Sequence, residues 1–177
     1  VIREIRKWNA EIVIAPRPND YHPDHRYTGV LVQDAAYMVI VPNVAPETPP
    51  LKKNPVFLYS EDWFQKPSPF EPDVAVDIDA IFDQKIYAMS AHKSQFFEWL
   101  PWTEGMLDKV PKDEKGRLEF LSNWRSGKIN PATLAALNKW YGDKAANVKH
   151  AESFEVCEYG KQPTDEELKQ LFPMLGK

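Results

Sequence analysis

The stretch Asp20-Tyr21-His22-Pro23-Asp24-His25-Arg26 decides how the surrounding sequence is interpreted. It follows the apolar run Ile12-Val13-Ile14-Ala15, which is typical of a short buried strand. Pro23 suits the first position of a helix, because a proline lacks the N–H group that would be unpaired there. Beyond it, Tyr27, Val30, Leu31, Ala35 and Met38 recur at helical spacing. The order of strand, turn and helix predicts an α/β fold, in which ligands bind at the carboxyl ends of strands.

His22 and His25 are candidates for metal binding and for acid–base chemistry. Neutral imidazole is a common zinc ligand, and a catalytic zinc keeps three protein ligands and one open position. One histidine could bind metal while the other, oriented by Asp24, acts as an acid or stabilises an oxyanion. Two histidines at this spacing are a weak signal alone, and an aspartate at a helix start is often only a dipole partner. The place at a strand end, with Asp20 and Arg26 alongside, favours a functional site.

These residues resemble the second conserved motif of the LmbE-like, or PIG-L, deacetylases, zinc enzymes that remove an N-acetyl group from glucosamine-containing substrates. A second similarity covers Lys85 to Gln95, which resembles that family's helix ending in Ala-His-x-Ser-Gln. Phe70 to Ile78 resembles the strand before that helix, and Ala151 to Phe154 is a weaker match. The resemblance covers roughly residues 1–99 and, loosely, the C-terminal strand, whereas residues 100–149 match nothing in the family.

The resemblance implies a role for each matching residue and a Zn²⁺ or other divalent metal cofactor. His25 would be a metal ligand, His22 the acid or oxyanion group, and Asp24 the electrostatic partner of His22. The expected substrate is a small amino sugar or glycoconjugate. Its binding residues would be Asp20, Arg26, His92 and Gln95.

One departure from the family concerns its earlier motif, Ala-His-Pro-Asp-Asp-Glu, which supplies two further metal ligands and the general base. This motif is absent from the 177 residues. We therefore expect residues 1–177 to be a single LmbE-like domain that is incomplete at its N-terminus. Its expected fold is a Rossmann-like, mainly parallel sheet with flanking helices. The expected metal site is incomplete and inactive without the missing N-terminal segment or a partner chain.

Composition excludes several classes of partner. Hydrophobic residues make up 43% of the chain and charged residues 27%, as in a globular domain. The net charge of −4 offers no basic surface for nucleic acid, and no apolar run approaches the length of a membrane span. The single cysteine, Cys157, excludes an intramolecular disulfide. The cellular compartment stays open.

Further patterns predict the elements that follow. Val56 to Tyr59 and Val74 to Ile78 are predicted strands, separated by a Pro-rich and aromatic loop from Ser60 to Pro72. Asp79 is predicted to cap the helix after the second of these strands. Thr164 to Glu167 is predicted to form a capping box before the last helix.

Two other function classes remain open. Trp63, or the pair Trp99 and Trp102, could stack on a sugar ring, although aromatic clusters are more often core. A carbohydrate-binding module without chemistry would use these rings and would not need His22 or His25. A metal-dependent phosphoesterase could use the same histidine and aspartate cluster, but would need more aspartates to hold two metals.

Overall fold

The computed structural model describes residues 1–126 and 129–177, which form four strands and seven α-helices. The strands are β1 (Ile12–Ala15), β2 (Val56–Ser60), β3 (Val74–Asp77) and β4 (Ala151–Gly160). The helices are α1 (Ile2–Trp8), α2 (Pro23–Met38), α3 (Phe82–Ser90), α4 (Leu100–Thr103), α5 (Glu114–Arg125), α6 (Pro131–Tyr141) and α7 (Asp165–Leu171). A π-helical turn, Gln95–Trp99, leads directly into α4.

The four strands form one sheet in the order β1-β2-β4-β3. β1 pairs with β2 in parallel, with Ile12 opposite Val56. β4 runs antiparallel to β2, with an irregularity in the register between Val56 and Leu58. The expected α/β fold with flanking helices is confirmed. The sheet is mixed, because the long C-terminal strand inserts antiparallel beside β2.

The chain divides into two compact units. Unit 1 comprises residues 1–76, 131–146 and 152–177, and it contains the sheet apart from the boundary residues Asp77 and Ala151. Unit 2 comprises residues 77–130 and 147–151 and contains α3, α4 and α5. The assignment of residues 1–177 to one domain stays a prediction.

The core of unit 1 forms between β2 and the helices before it. Val56, Phe57 and Leu58 are all buried, so β2 is covered on both faces. Phe57 belongs to a buried cluster whose other members come from α1, α2, the segment after α2 and β4: Ile5, Ala35, Ala36, Val39, Leu51 and Cys157. Helix α2, which carries the histidine motif at its start, is thereby packed against the sheet.

Helix α2 packs through small residues rather than through its large apolar ones. Of the residues whose spacing predicted the helix, only Ala35 is buried, and Tyr27 and Leu31 are largely exposed. Gly29 is also buried, and a Cβ atom there would lie 2.6 Å from the carbonyl oxygen of Pro16. The helix was predicted correctly, but its buried face differs because small residues allow a closer approach to the turn after β1.

Two further sequence predictions concern the loop after β2 and the start of the last helix. Residues 61–73 contain no helix or strand, as expected for the predicted loop. Thr164 and Glu167 form the predicted capping box at the start of α7. Within the described residues, no helix is both long and apolar enough to cross a membrane.

Candidate metal and substrate site

His22 ends the turn after β1 and caps the first turn of α2. Its Nδ1 accepts the backbone N–H of Asp24 at 3.2 Å, and Pro23 takes the first helical position. Because Nδ1 is the acceptor, a neutral His22 ring carries its proton on Nε2. His22 therefore has the N–H donor that stabilisation of an oxyanion requires.

His25 lies in the first turn of α2 and is oriented by Asp20. Its Nδ1 is 2.9 Å from Oδ1 of Asp20, whose side chain is largely buried, and the ring centroids of the two histidines are 5.3 Å apart. The same Asp20 oxygen accepts the backbone N–H of His22 at 3.1 Å. Since a carboxylate accepts a proton from Nδ1–H, the lone pair of a neutral His25 ring lies on Nε2. This carboxylate–histidine pairing is the one that orients metal-binding imidazoles.

Asp24 and Arg26 border the histidine pair. Oδ2 of Asp24 lies 3.9 Å from Nδ1 of His22, and its side chain is 88% exposed, so the two groups make no direct hydrogen bond. Arg26 donates from Nη1 to the carbonyl oxygens of Asp20 and Tyr21, each at 3.1 Å. Arg26 thus holds the backbone of the turn. The catalytic role of Asp24 and the substrate-binding role of Arg26 stay predictions.

A cavity of about 250 Å³ opens beside His25. Asp20, Tyr21 and His25 line one side of it, and residues 60–64 at the end of β2 line the other. Its acidic lining residues are Asp20, Glu61 and Asp62. Because opposite charges attract and like charges repel, this lining suits a neutral or cationic ligand better than a phosphate monoester.

The loop after β2 is anchored beneath this cavity by Arg17, a residue to which the sequence interpretation assigned no role. The guanidinium is buried and makes two hydrogen bonds of 2.6 Å with the carboxylate of Asp62. It also donates to the carbonyl oxygens of Phe64 and Pro69, each at 3.0 Å. Arg17 and Asp62 are 45 residues apart, so no local pattern could have indicated this pair.

His92 and Gln95 lie in unit 2, at the end of α3 and the start of the π-helical turn. His92 is exposed, and its ring meets that of Phe96 edge-on with centroids 6.4 Å apart. The backbone N–H groups of Gln95 and Phe96 both bond to the carbonyl oxygen of His92. The structure thus gives His92 a place in a helical turn of unit 2, and the substrate-binding role of both residues stays a prediction.

Unit 2 contains a hydrogen-bonded cluster around His150 that the sequence did not indicate. Nδ1 of His150 lies 2.8 Å from Oδ1 of Asp79, its Nε2 is 3.2 Å from Oγ of Ser126, and its ring stacks on Phe82. Asp79 also accepts the backbone N–H groups of Lys149 and His150. The partners in this order resemble a Ser-His-Asp triad. However, Ser126 follows the C-terminal end of α5, where helix carbonyl dipoles oppose an oxyanion.

We therefore interpret this cluster as a clamp that joins the chain after β3 to the chain before β4. Burial would raise the pKa of Asp79, but the N–H groups of Lys149 and His150 and the His150 ring outweigh burial, so this pKa is lowered from its ordinary value. The prediction that Asp79 caps a helix was wrong. The cap position of α3 is Ile81, and the Asp79 oxygens bond to the chain at Lys149 and His150 instead.

A complete metal site is not assembled within the described ranges 1–126 and 129–177. No group of three or more His, Cys, Asp or Glu side chains there is placed to hold one ion. His25, oriented by Asp20, fits the requirements of one metal ligand. The expectation that residues 1–177 supply only part of a metal centre stays a prediction.

Comparisons with known proteins show which solved structures share this fold. No protein-family model matches the sequence. Among solved structures, the chain is similar to N,N'-diacetylchitobiose deacetylase from Pyrococcus horikoshii, with 21% identity and a TM-score of 0.52, over 88% of this chain and 49% of that one. A conserved protein from Thermus thermophilus gives 22% identity and a TM-score of 0.51, over 92% of this chain and 58% of that one.

A third similar structure is GalB, the 4-carboxy-2-hydroxymuconate hydratase from Pseudomonas putida, with 17% identity and a TM-score of 0.54. That match covers 92% of this chain and 58% of the hydratase. The protein thus has an LmbE-like α/β fold. The chain spans about half the length of the solved structures that it matches.

Proposed function

We propose that this protein is a zinc-dependent deacetylase that hydrolyses the N-acetyl group of an N-acetylglucosamine-containing substrate. The observation that carries the proposal is the pairing of two differently oriented imidazoles at the carboxyl end of β1. His25 has Nε2 left for a metal because Asp20 holds Nδ1, whereas His22 carries its proton on Nε2. The fold shared with a diacetylchitobiose deacetylase supports this choice of reaction.

The metal would be held on this chain by His25. When bound, zinc supplies a water of lowered pKa and polarises the acetyl carbonyl. Further ligands and a carboxylate base are needed, since the described residues contain no group of three metal-binding side chains. We propose that a further segment of the protein or a partner chain donates them.

His22 contributes a hydrogen bond rather than a metal ligand in this proposal. Its Nε2–H donates a hydrogen bond to the oxygen that becomes negative when water adds to the acetyl carbon. The backbone N–H of Asp24 keeps Nδ1 as an acceptor and therefore keeps the proton on Nε2. Arg26 stabilises the turn that places His22 beside His25.

Replacing each histidine by alanine in turn tests the roles assigned to His25 and His22. In the protein with its complete metal site, His25→Ala should remove bound zinc and deacetylase activity together, as measured by elemental analysis and acetate release. His22→Ala should keep the zinc but lower kcat by about 10²–10³, the usual effect of losing one oxyanion donor. Full zinc content in His25→Ala, or loss of zinc in His22→Ala, would contradict these roles.

The completeness of the site is tested with residues 1–177 alone. We expect this chain to bind zinc weakly and to release no acetate from an N-acetylglucosamine substrate, because catalytic zinc requires three protein ligands. Zinc titration and an acetate assay measure both properties. Tight zinc binding with turnover would mean that residues of this chain complete the site.

The two alternative functions make different predictions. A phosphoesterase would release phosphate, and the acidic lining of the cavity disfavours its substrate. A carbohydrate-binding module is favoured by the exposed ring of Trp63, and would keep its sugar affinity after both His22 and His25 are replaced. Acetate, phosphate and sugar-binding assays on the same variants separate the three functions.

A further inference from the structure

Two stacked aromatic side chains stand beside His25. The rings of Tyr21 and Trp63 are nearly parallel, with an interplanar angle of 18° and centroids 5.8 Å apart. Tyr21 also meets the ring of His25 edge-on at 5.0 Å. Trp63 is nevertheless 72% exposed and Tyr21 is exposed as well. A tryptophan that leaves most of its surface in water next to a lined cavity is available to a ligand.

The loop that carries Trp63 is held by a buried ion pair. Asp62 precedes Trp63, and its carboxylate is held by Arg17, whose side chain is 4% exposed. Oδ1 of Asp62 also accepts the backbone N–H of Phe64 at 2.8 Å. The residues on both sides of Trp63 are therefore held in place, so the loop does not need to be ordered when a ligand binds. Such pre-organisation lowers the cost of binding.

The charges around the cavity limit the chemistry of its ligand. Asp62 is paired with Arg17, and the other two acidic residues of the lining are Asp20 and Glu61. Carboxylates accept hydrogen bonds from hydroxyl groups and attract ammonium groups, whereas they repel anions. An aromatic surface beside hydrogen-bond acceptors matches a pyranose ring, which has an apolar C–H face and a rim of hydroxyl groups.

We propose that Tyr21 and Trp63 form a platform on which a pyranose ring of the amino-sugar substrate stacks while its N-acetyl group lies at His25. This inference rests on the proposed deacetylase function and adds its sugar-binding subsite. Of the tryptophans that could stack on a sugar, this inference selects Trp63 rather than Trp99 and Trp102. Trp63 lies beside the histidine motif in unit 1, whereas the other two belong to unit 2. The acidic lining also suits the ammonium group of the deacetylated product.

The test compares Trp63→Ala with Trp63→Phe and with Trp8→Ala. Trp8 is 82% exposed on α1 and does not line the cavity, so its replacement controls for loss of an exposed tryptophan. The dissociation constant of N,N'-diacetylchitobiose is measured by calorimetry, and KM is measured by acetate release, both on the protein with its complete metal site. Trp63→Ala should raise both by about fivefold, since a stacking contact contributes about 1 kcal/mol. Trp63→Phe should recover much of the loss, and Trp8→Ala should match the wild type.

The outcomes separate this inference from the proposed function. Binding of the disaccharide that depends on Trp63, without acetate release, would support the platform and reject the deacetylase. Acetate release with the same KM and affinity in Trp63→Ala and Trp8→Ala would overturn the platform and leave the deacetylase standing. No affinity of the wild type for the sugar would also overturn the platform. A large fall in melting temperature for Trp63→Phe, with unchanged affinity, would assign Trp63 to packing and overturn it as well.

Discussion

Two histidines of the same motif acquire different properties from the atoms that bond to Nδ1. For His22 that atom is a backbone N–H donor, and for His25 it is a carboxylate acceptor. The first leaves a proton on Nε2 and the second leaves a lone pair there. The difference arises because His22 stands at the cap of α2, where backbone N–H groups are unpaired, whereas His25 lies three residues later beside Asp20.

Replacing Asp20 should weaken metal binding through His25. Asp20→Asn removes the charge that orients and polarises the His25 ring, and we expect the zinc dissociation constant to rise by about 10–100-fold. Asp24→Asn is the matched control, because the Asp24 side chain is exposed and makes no direct hydrogen bond to either ring. A competition titration with a coloured chelator measures both variants. Equal effects in the two would rule out the orienting role of Asp20.

At the scale of elements, the aromatic loop depends on a pair of buried charges. We expect Arg17→Ala to lower the free energy of unfolding by about 3–5 kcal/mol, because it leaves the Asp62 carboxylate buried without its ion-pair partner. Arg3→Ala is the matched control, since Arg3 forms an ion pair with Glu47 on the surface, and little change is expected there. Urea unfolding measures both variants. A loss in Arg17→Ala no greater than that in Arg3→Ala would show that the pair does not anchor the loop.

The hydrogen bonds of Asp79 in unit 2 should make the free energy of unfolding decrease as the pH becomes acidic. Because folding lowers the pKa of Asp79, its stabilising effect is complete above the unfolded value of about 3.9 and is lost as the pH falls through the lowered folded value. Asp79→Asn should therefore be less stable than the wild type by about 1 kcal/mol at neutral pH. The difference should shrink at acid pH. Urea unfolding at several pH values, with exposed Asp108→Asn as the control, tests this expectation, and a difference independent of pH would contradict it.

At the scale of the whole molecule, we expect the edge of the sheet to influence whether residues 1–177 self-associate in solution. β1 is an edge strand, and its Ile14 is 50% exposed. Exposed apolar edge strands pair with other chains, and a charged residue on the edge opposes this pairing. Ile14→Lys should therefore reduce self-association, measured by light scattering at rising concentration. Ile81→Lys is the control, because Ile81 is equally exposed but lies outside the sheet. If both variants reduce association equally, the edge strand is not the cause.

The sequence by itself determined the features that depend on residues close together in the chain. The strand at Ile12, the turn, the helix that starts at Pro23 and the capping box at Thr164 were all predicted, since a few neighbouring side chains decide each of them. The same holds for the two histidines at the start of α2. The α/β class follows from the order of such local patterns.

The tertiary structure decided which distant side chains meet. Arg17 contacts Asp62, Tyr21 contacts Trp63, and Asp79 contacts His150, each across more than one element of the chain, so their pairing depends on how the strands assemble. Asp79 was predicted to cap a helix because local patterns cannot show that a carboxylate will bond to a distant backbone. The buried face of α2 was likewise decided by the close approach of Gly29 to Pro16, which packing selects and apolar spacing does not reveal.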